Sequence, residues 1–106
     1  MCIRDSIQDL AAVIATGRSD FPNQINNVLA FPGVFRGALD ACATDITDSM
    51  KAVAAEAIAD GVSDDDLRPD NIVPSVFQKE VSFEVARRVT AAALADGVSR
   101  LSLIHI

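Results

Sequence analysis

The sequence has few residues of the kinds on which many catalytic sites depend. Its 106 residues include no Trp, no Tyr, one His and two Cys. The histidine is His105, and the cysteines are Cys2 and Cys42, so no metal-ligand spacing is present. This composition argues against a zinc site and against a Cys–His nucleophile.

Positive charge is also scarce. Nine Lys and Arg residues face fifteen Asp and Glu residues, which gives a net charge of -6. Since no basic cluster is present to neutralise phosphates, we predict no nucleic-acid partner. No apolar run approaches the roughly 20 residues that cross a bilayer, and no signal-peptide pattern is visible. We therefore expect no membrane partner and a cytoplasmic location.

The two ends have an explanation outside protein structure. The DNA string ATGTGTATAAGAGACAG encodes the start, MCIRDS, and its reverse complement encodes the final LSLIHI. This string resembles a transposase end sequence used to prepare sequencing libraries. We expect residues 1–6 and 101–106 to be translated adaptor, which leaves residues 7–100 as the natural segment, cut at both edges.

The natural segment begins with a short apolar run and a polar loop. Residues 9–16 read DLAAVIAT and are followed by Gly17, which is typical of a strand buried on both faces of a parallel sheet. The same run also fits the end of a helix that leads into a strand at Val13. Residues 17–24 are rich in Gly, Pro, Ser, Asp and Asn and predict a loop.

A helix interrupted by proline is predicted next. Asn26 and Asn27 stand before an apolar run, where an asparagine is a good N-cap. Because Pro32 breaks the pattern, we expect one helical turn, a restart at Pro32 and a helix through about Leu39. We expect Phe31 and Phe35 to be core residues.

Two longer helices follow, each with an alanine-rich face. Thr47 is a candidate N-cap for the first, and Gly61 is its predicted stop. Its apolar stripe consists of Met50, Val53, Ala54, Ala57 and Ile58. The second is predicted over residues 82–96 and closed by Gly97. The acidic residues 63–70 predict an exposed loop. Taken together, the predicted elements indicate an α or α/β segment.

The stretch ATGRSDFPNQINNVLAFPGVFRGALD, residues 15–40, resembles the bacterial form of the malic enzyme family. The resemblance continues through TDITDSMKAVAAEAIA and NIVPSVF to the closing GVSR, and so covers nearly all of residues 7–100. It implies the C-terminal part of an NAD(P)-binding domain. The implied fold class is α/β, a partial Rossmann-like domain that is mostly helical with one or two short parallel-type strands.

The family resemblance also implies an activity. Members oxidise malate with NAD or NADP and decarboxylate the oxaloacetate to pyruvate with a divalent metal, Mg or Mn, and the parent enzyme is expected to be a homo-oligomer. Two departures concern loop geometry: Cys42 stands where many relatives have Arg, and Gln78-Lys79 replaces a frequent Asp-Pro.

The paired asparagines are the site residues that the resemblance implies. Asn27 is expected to contact substrate and the nicotinamide end of the cofactor, with Asn26 as the second substrate contact. An amide donates two hydrogen bonds, accepts others and does not titrate, which suits a site for hydride transfer. A plain capping role is the competing interpretation, and the two roles can be divided between the neighbours.

The catalytic base, the acid and the metal ligands are not expected in this segment. It has no Tyr, and its lysines are Lys51 and Lys79. We therefore assign no catalytic or metal-binding residue and predict that the chain alone is inactive. A stand-alone helical interaction module is the alternative, and another Rossmann dehydrogenase is a third interpretation.

Overall fold

A computed structural model describes residues 3–100, with side chains from Asp5 onward. The helices are α1 (Ile3–Ile7), a 3-10 turn (Asn27–Leu29), α2 (Phe31–Asp40), α3 (Asp48–Ala59) and α4 (Lys79–Ala95). Helix α4 packs against both α2 and α3, which touch each other far less. The core therefore lies along α4. Residues 101–106, one of the two expected adaptor segments, lie outside the described range.

The predicted strand over residues 9–16 is not confirmed. Between residues 3 and 100 the backbone forms no strand, and an isolated parallel bridge joins Thr16 to Gln24. A strand needs a neighbour that pairs with its N–H and C=O groups along its length, and residues 9–16 meet such a partner only at their end. Leu10 and Val13 are 86% and 45% exposed as a result.

The predicted helix over residues 48–60 is confirmed as α3. The Thr47 hydroxyl oxygen accepts a hydrogen bond from the Met50 backbone N–H, which caps the helix. Met50, Ala54 and Ala57 are buried, as the apolar stripe predicts. Helix α4 begins at Lys79, three residues before the predicted start, and ends at Ala95; Gly97, with a left-handed φ of +75°, follows the C-cap Asp96.

Glycines allow α2 to lie directly on α4. A Cβ added to Gly33 would come within 2.7 Å of the Val85 Cβ atom, and one added to Gly37 would come within 2.7 Å of the Ala86 carbonyl oxygen. The Thr90 hydroxyl also donates to the Gly37 carbonyl oxygen at 3.1 Å. The two glycines, four residues apart, therefore form the face of α2 that contacts α4.

The placement of two phenylalanines differs from the expectation. Phe31 and Phe35 are 50% and 53% exposed, with their ring centroids 5.8 Å apart. Because α2 turns the face with Gly33 and Gly37 toward α4, residues 31 and 35 fall on another side of the helix. They form an exposed apolar pair instead of core.

Polar contacts join both ends of α3 to α4. Arg88 of α4 pairs with Asp60 at 2.8 Å and with Glu84 at 2.7 Å, and Glu84 also pairs with Arg87. At the other end, the Thr47 and Ser49 hydroxyls donate to the Asp96 carboxylate. These contacts follow from an antiparallel pair in which the start of α3 meets the end of α4.

Hydrogen bonds to charged or hydroxyl donors favour the ionised form of both carboxylates. The Arg87 and Arg88 guanidinium groups lower the pKa of Glu84 from 4.5 to about 2. The hydroxyls of Ser49 and Thr47 lower the pKa of Asp96 from its usual value.

No helix between residues 3 and 100 is both long and apolar enough to cross a membrane.

The α2–α4 contact predicts a stability difference between two glycines. In Gly37→Ala, the new methyl group meets a backbone oxygen that cannot move aside. We expect a loss of about 1 kcal/mol or more, despite the better helix propensity of alanine. In the control Gly17→Ala, no atom lies within 4 Å of the added Cβ. Urea denaturation followed by circular dichroism measures both, and an equal effect would contradict the close contact.

The Glu84 pairs predict acid sensitivity. A carboxylate with a lowered folded-state pKa contributes stability above its unfolded pKa of about 4.5, and that contribution is lost as the pH falls toward 2. We expect the melting temperature of Glu84→Gln to fall less than that of the parent between these pH values. Glu56→Gln is the control, because Glu56 makes no ion pair within residues 5–100. Parallel curves for Glu84→Gln and the parent would refute the role.

Candidate functional site

A closed loop precedes the paired asparagines. The Ile25 N–H donates to the Thr16 carbonyl oxygen at 2.7 Å, and the Thr16 N–H donates to the Asn23 carbonyl oxygen at 3.3 Å. Within the loop, Arg18 makes a two-pronged contact with Asp20, and its guanidinium carbon lies 4.7 Å from the centre of the Phe21 ring. The predicted loop is confirmed, and these side chains shape it.

Asn26 is an N-cap. Its side-chain oxygen accepts a hydrogen bond from the Val28 backbone N–H at 3.0 Å, and its backbone is extended, with φ of -128°. It is half-buried and directly precedes the 3-10 turn that leads into α2. The capping interpretation is therefore confirmed for Asn26, and its side-chain oxygen is already occupied.

Asn27 is the first residue of the 3-10 turn and is exposed. Its carbonyl oxygen accepts from the Ala30 N–H at 3.0 Å, but its carboxamide makes no hydrogen bond within residues 5–100. The structure thus brings the two asparagines together and gives them different surroundings. Two amide donors and a carbonyl acceptor of Asn27 face outward and are available to a ligand.

Asn23 is a structural residue inside the predicted loop. It is 6% exposed, and its backbone is left-handed, with φ of 57°. Its side-chain nitrogen donates to the carbonyl oxygens of Ile14 and Pro69, at 3.0 and 2.8 Å, and its oxygen accepts from the Ile72 N–H at 2.9 Å. Asparagine tolerates this left-handed backbone conformation better than most residues. Its residue type was therefore the feature of the sequence that could have indicated this role.

The cleft beside the loop base does not include the paired asparagines. It is lined by residues of three segments, among them Ile14, Pro22, Asn23 and Pro69. Asn26 and Asn27 lie beyond it on the way to α2. A ligand at Asn27 would therefore be met by an exposed surface of this chain, which forms one wall of a site and not a closed pocket.

The family profile described as "Malic enzyme, NAD binding domain" matches residues 8–94. The chain belongs to the malic enzyme family. It is 56% identical over 93 residues to the bifunctional malic/malolactic enzyme of Bacillus subtilis (strain 168), with 88% of this chain and 23% of that protein covered. It is 56% identical over 94 residues to the NAD-dependent malic enzyme of Geobacillus stearothermophilus, with 89% and 20% covered.

Solved malic enzyme structures have the same fold in this region. The enzyme from Pyrococcus horikoshii Ot3 superposes with a TM-score of 0.82 at 47% identity, covering 94% of this chain and 23% of that one. The Entamoeba histolytica enzyme gives 0.82 at 37% identity, covering 94% and 21%. The chain thus spans about a fifth to a quarter of the length of these relatives, and it is a fragment of a malic enzyme NAD-binding domain.

The residues present fit the two implied ligands differently. Within residues 5–100, no three His, Cys, Asp or Glu side chains lie close enough together to hold a metal ion. These residues therefore do not fit a metal ion by themselves. A neutral carboxamide such as that of Asn27 does fit the polar, uncharged nicotinamide amide or one oxygen of a carboxylate.

The division of roles within the pair predicts a split in stability. Asn26→Ala removes the cap and is expected to lower the free energy of unfolding by about 1 kcal/mol. Asn26→Asp retains the acceptor oxygen and should retain most of that stability. Asn27→Ala removes an exposed side chain and should change stability by less than about 0.5 kcal/mol. Urea denaturation of the three variants decides, and equal losses for Asn26→Ala and Asn27→Ala would reject the division.

Proposed function

We propose that this chain forms part of the substrate- and nicotinamide-facing wall of an NAD(P)-dependent malic enzyme. That enzyme would oxidise malate with NAD or NADP and yield pyruvate, in a cytoplasmic homo-oligomer. The observation that carries the proposal is the outward carboxamide of Asn27, beside a neighbour whose oxygen is used for capping. Relatives named as NAD- and NADP-dependent malic enzymes support both cofactors.

Asn27 would bind and orient. Its N–H groups can donate to a malate carboxylate or to the nicotinamide carbonyl, and its own oxygen can accept from the nicotinamide amine. Because the carboxamide does not titrate, these contacts would persist through the proton transfers of the reaction. When bound, NAD(P) supplies the acceptor for a hydride. Asn26 would hold the backbone of the turn and would be the second substrate contact, after Asn27.

Proton transfer and metal binding would belong to other parts of the enzyme. The sequence has no Tyr, and both lysines lie on exposed helical positions, with Lys51 3.8 Å from Asp48. General acid–base catalysis requires a group within hydrogen-bond reach of the reacting proton. We therefore propose that the 106-residue chain alone does not turn over malate.

The proposal is tested in a full-length chimera. Residues 7–100 of this chain replace the matching segment of the Bacillus subtilis enzyme, to which the chain is 56% identical over 93 residues. We expect the chimera to oxidise malate, as followed by reduced nicotinamide, and the isolated chain to show no turnover in the same assay. Turnover by the isolated chain would contradict the assignment of the acid, base and metal ligands to other segments.

The same chimera tests Asn27. Asn27→Ala removes a hydrogen bond to a charged or polar ligand, so kcat/KM for malate should fall roughly 10- to 100-fold. Asn27→Asp should cost more, because it places a negative charge beside a dicarboxylate. Asn26→Asp, which keeps the cap, should cost less than either. An Asn27→Ala chimera within twofold of the parent would remove the ground for the proposed site.

A further inference from the structure

Asn23 is the one buried residue between positions 17 and 28. The loop residues before it are exposed or half-buried, and the next buried residue toward α2 is Leu29. Asn26 follows after only Gln24 and Ile25, and Ile25 is 60% exposed. On its N-terminal side, the asparagine pair is therefore held by contacts at Asn23 and by the backbone bonds at the loop base.

The Asn23 side chain ties three separate segments together. Its amide hydrogens reach carbonyl oxygens at Ile14 and Pro69, and its oxygen receives the Ile72 N–H. Both donors and the acceptor are thus used inside the protein. A buried amide without these partners would be costly, so the three segments hold one arrangement around it. The carboxamide of Asn23 has no donor left for a ligand.

The other side of the pair is held by α2. The 3-10 turn runs directly into α2, whose Gly33 and Gly37 lie against α4. The turn with Asn26 and Asn27 thus lies between the α2–α4 contact on one side and, on the other, the Asn23 hydrogen bonds together with the loop-base bonds of Thr16. Only Gln24 and Ile25 separate Asn23 from Asn26, and two residues of chain reach at most roughly 7 Å, so the Asn23 hydrogen bonds act close to the base of the turn.

We propose that Asn23 is a positioning residue, which sets the place and direction of the Asn27 carboxamide through the short segment that joins them. It acts on malate and the nicotinamide only through Asn27. The inference rests on the proposed function, because it concerns the same side chain.

The experiment is a double-mutant cycle in the full-length chimera. Asn23→Gly keeps the left-handed backbone, which glycine tolerates, and removes all three side-chain hydrogen bonds. We expect kcat/KM for malate to fall about tenfold or more, as misplacement of a binding group does. In the double variant Asn23→Gly/Asn27→Ala, kcat/KM should be no lower than in Asn27→Ala alone.

A matched control separates positioning from general loss of stability. Ser99→Ala removes the hydrogen bond from the other buried polar side chain between residues 5 and 100, which donates to the Ala41 carbonyl oxygen at 2.5 Å. This variant should lower the melting temperature and leave kcat/KM within twofold of the parent. If Asn23→Gly does not yield folded chimera, Asn23→Asp takes its place, since it keeps the shape and the acceptor but loses both donors.

The outcomes distinguish this inference from the proposed function. If Asn27→Ala lowers kcat/KM and Asn23→Gly does not, the positioning role is overturned and the proposed function stands. Losses that multiply in the double variant would also overturn it, because they would show Asn23 acting independently of Asn27. If Asn27→Ala itself has no effect, the proposed function fails and the positioning role fails with it.

Discussion

The close approach of α2 to α4 is the contact on which the described structure depends. Backbone and β-carbon atoms meet where Gly33 and Gly37 face Val85, Val89 and the Ala86 carbonyl group. A side chain at either glycine would hold the helices apart, and a packed interior relaxes only partly around such a change. Since α4 also packs against α3, this contact holds α2 on the core, and the asparagines directly precede α2.

The paired asparagines show how two identical neighbours take different roles. One carboxamide oxygen satisfies a backbone N–H that a helix start leaves without a partner, which fixes the turn. The other carboxamide belongs to the first residue of the 3-10 turn and is exposed. A third asparagine, Asn23, is buried and fully hydrogen-bonded. The same chemical group thus caps, faces solvent and joins segments within five residues of chain.

Much of the helical structure could be predicted, because its signals are local. The Thr47 cap and the spacing of Met50, Ala54 and Ala57 depend on residues three or four apart, and these predictions were confirmed. Whether residues 9–16 form a strand could not be predicted from such local spacing. An apolar run becomes a strand only beside another strand, and the described part of the chain provides no such neighbour.

The sequence by itself determined the family, the α2, α3 and α4 helices and the asparagine pair, since a long ordered motif and local spacing are written directly in the chain. Only the tertiary structure decided that Phe31 and Phe35 are exposed, because which side of a helix is buried depends on its neighbour. The tertiary structure alone also showed that the Asn23 side chain hydrogen-bonds to Pro69 and Ile72, which lie 46 and 49 positions further along the chain. Hydrogen bonds between residues so far apart produce no periodic pattern in a sequence, whereas the buried face of a helix produces a repeat of about 3.6 residues.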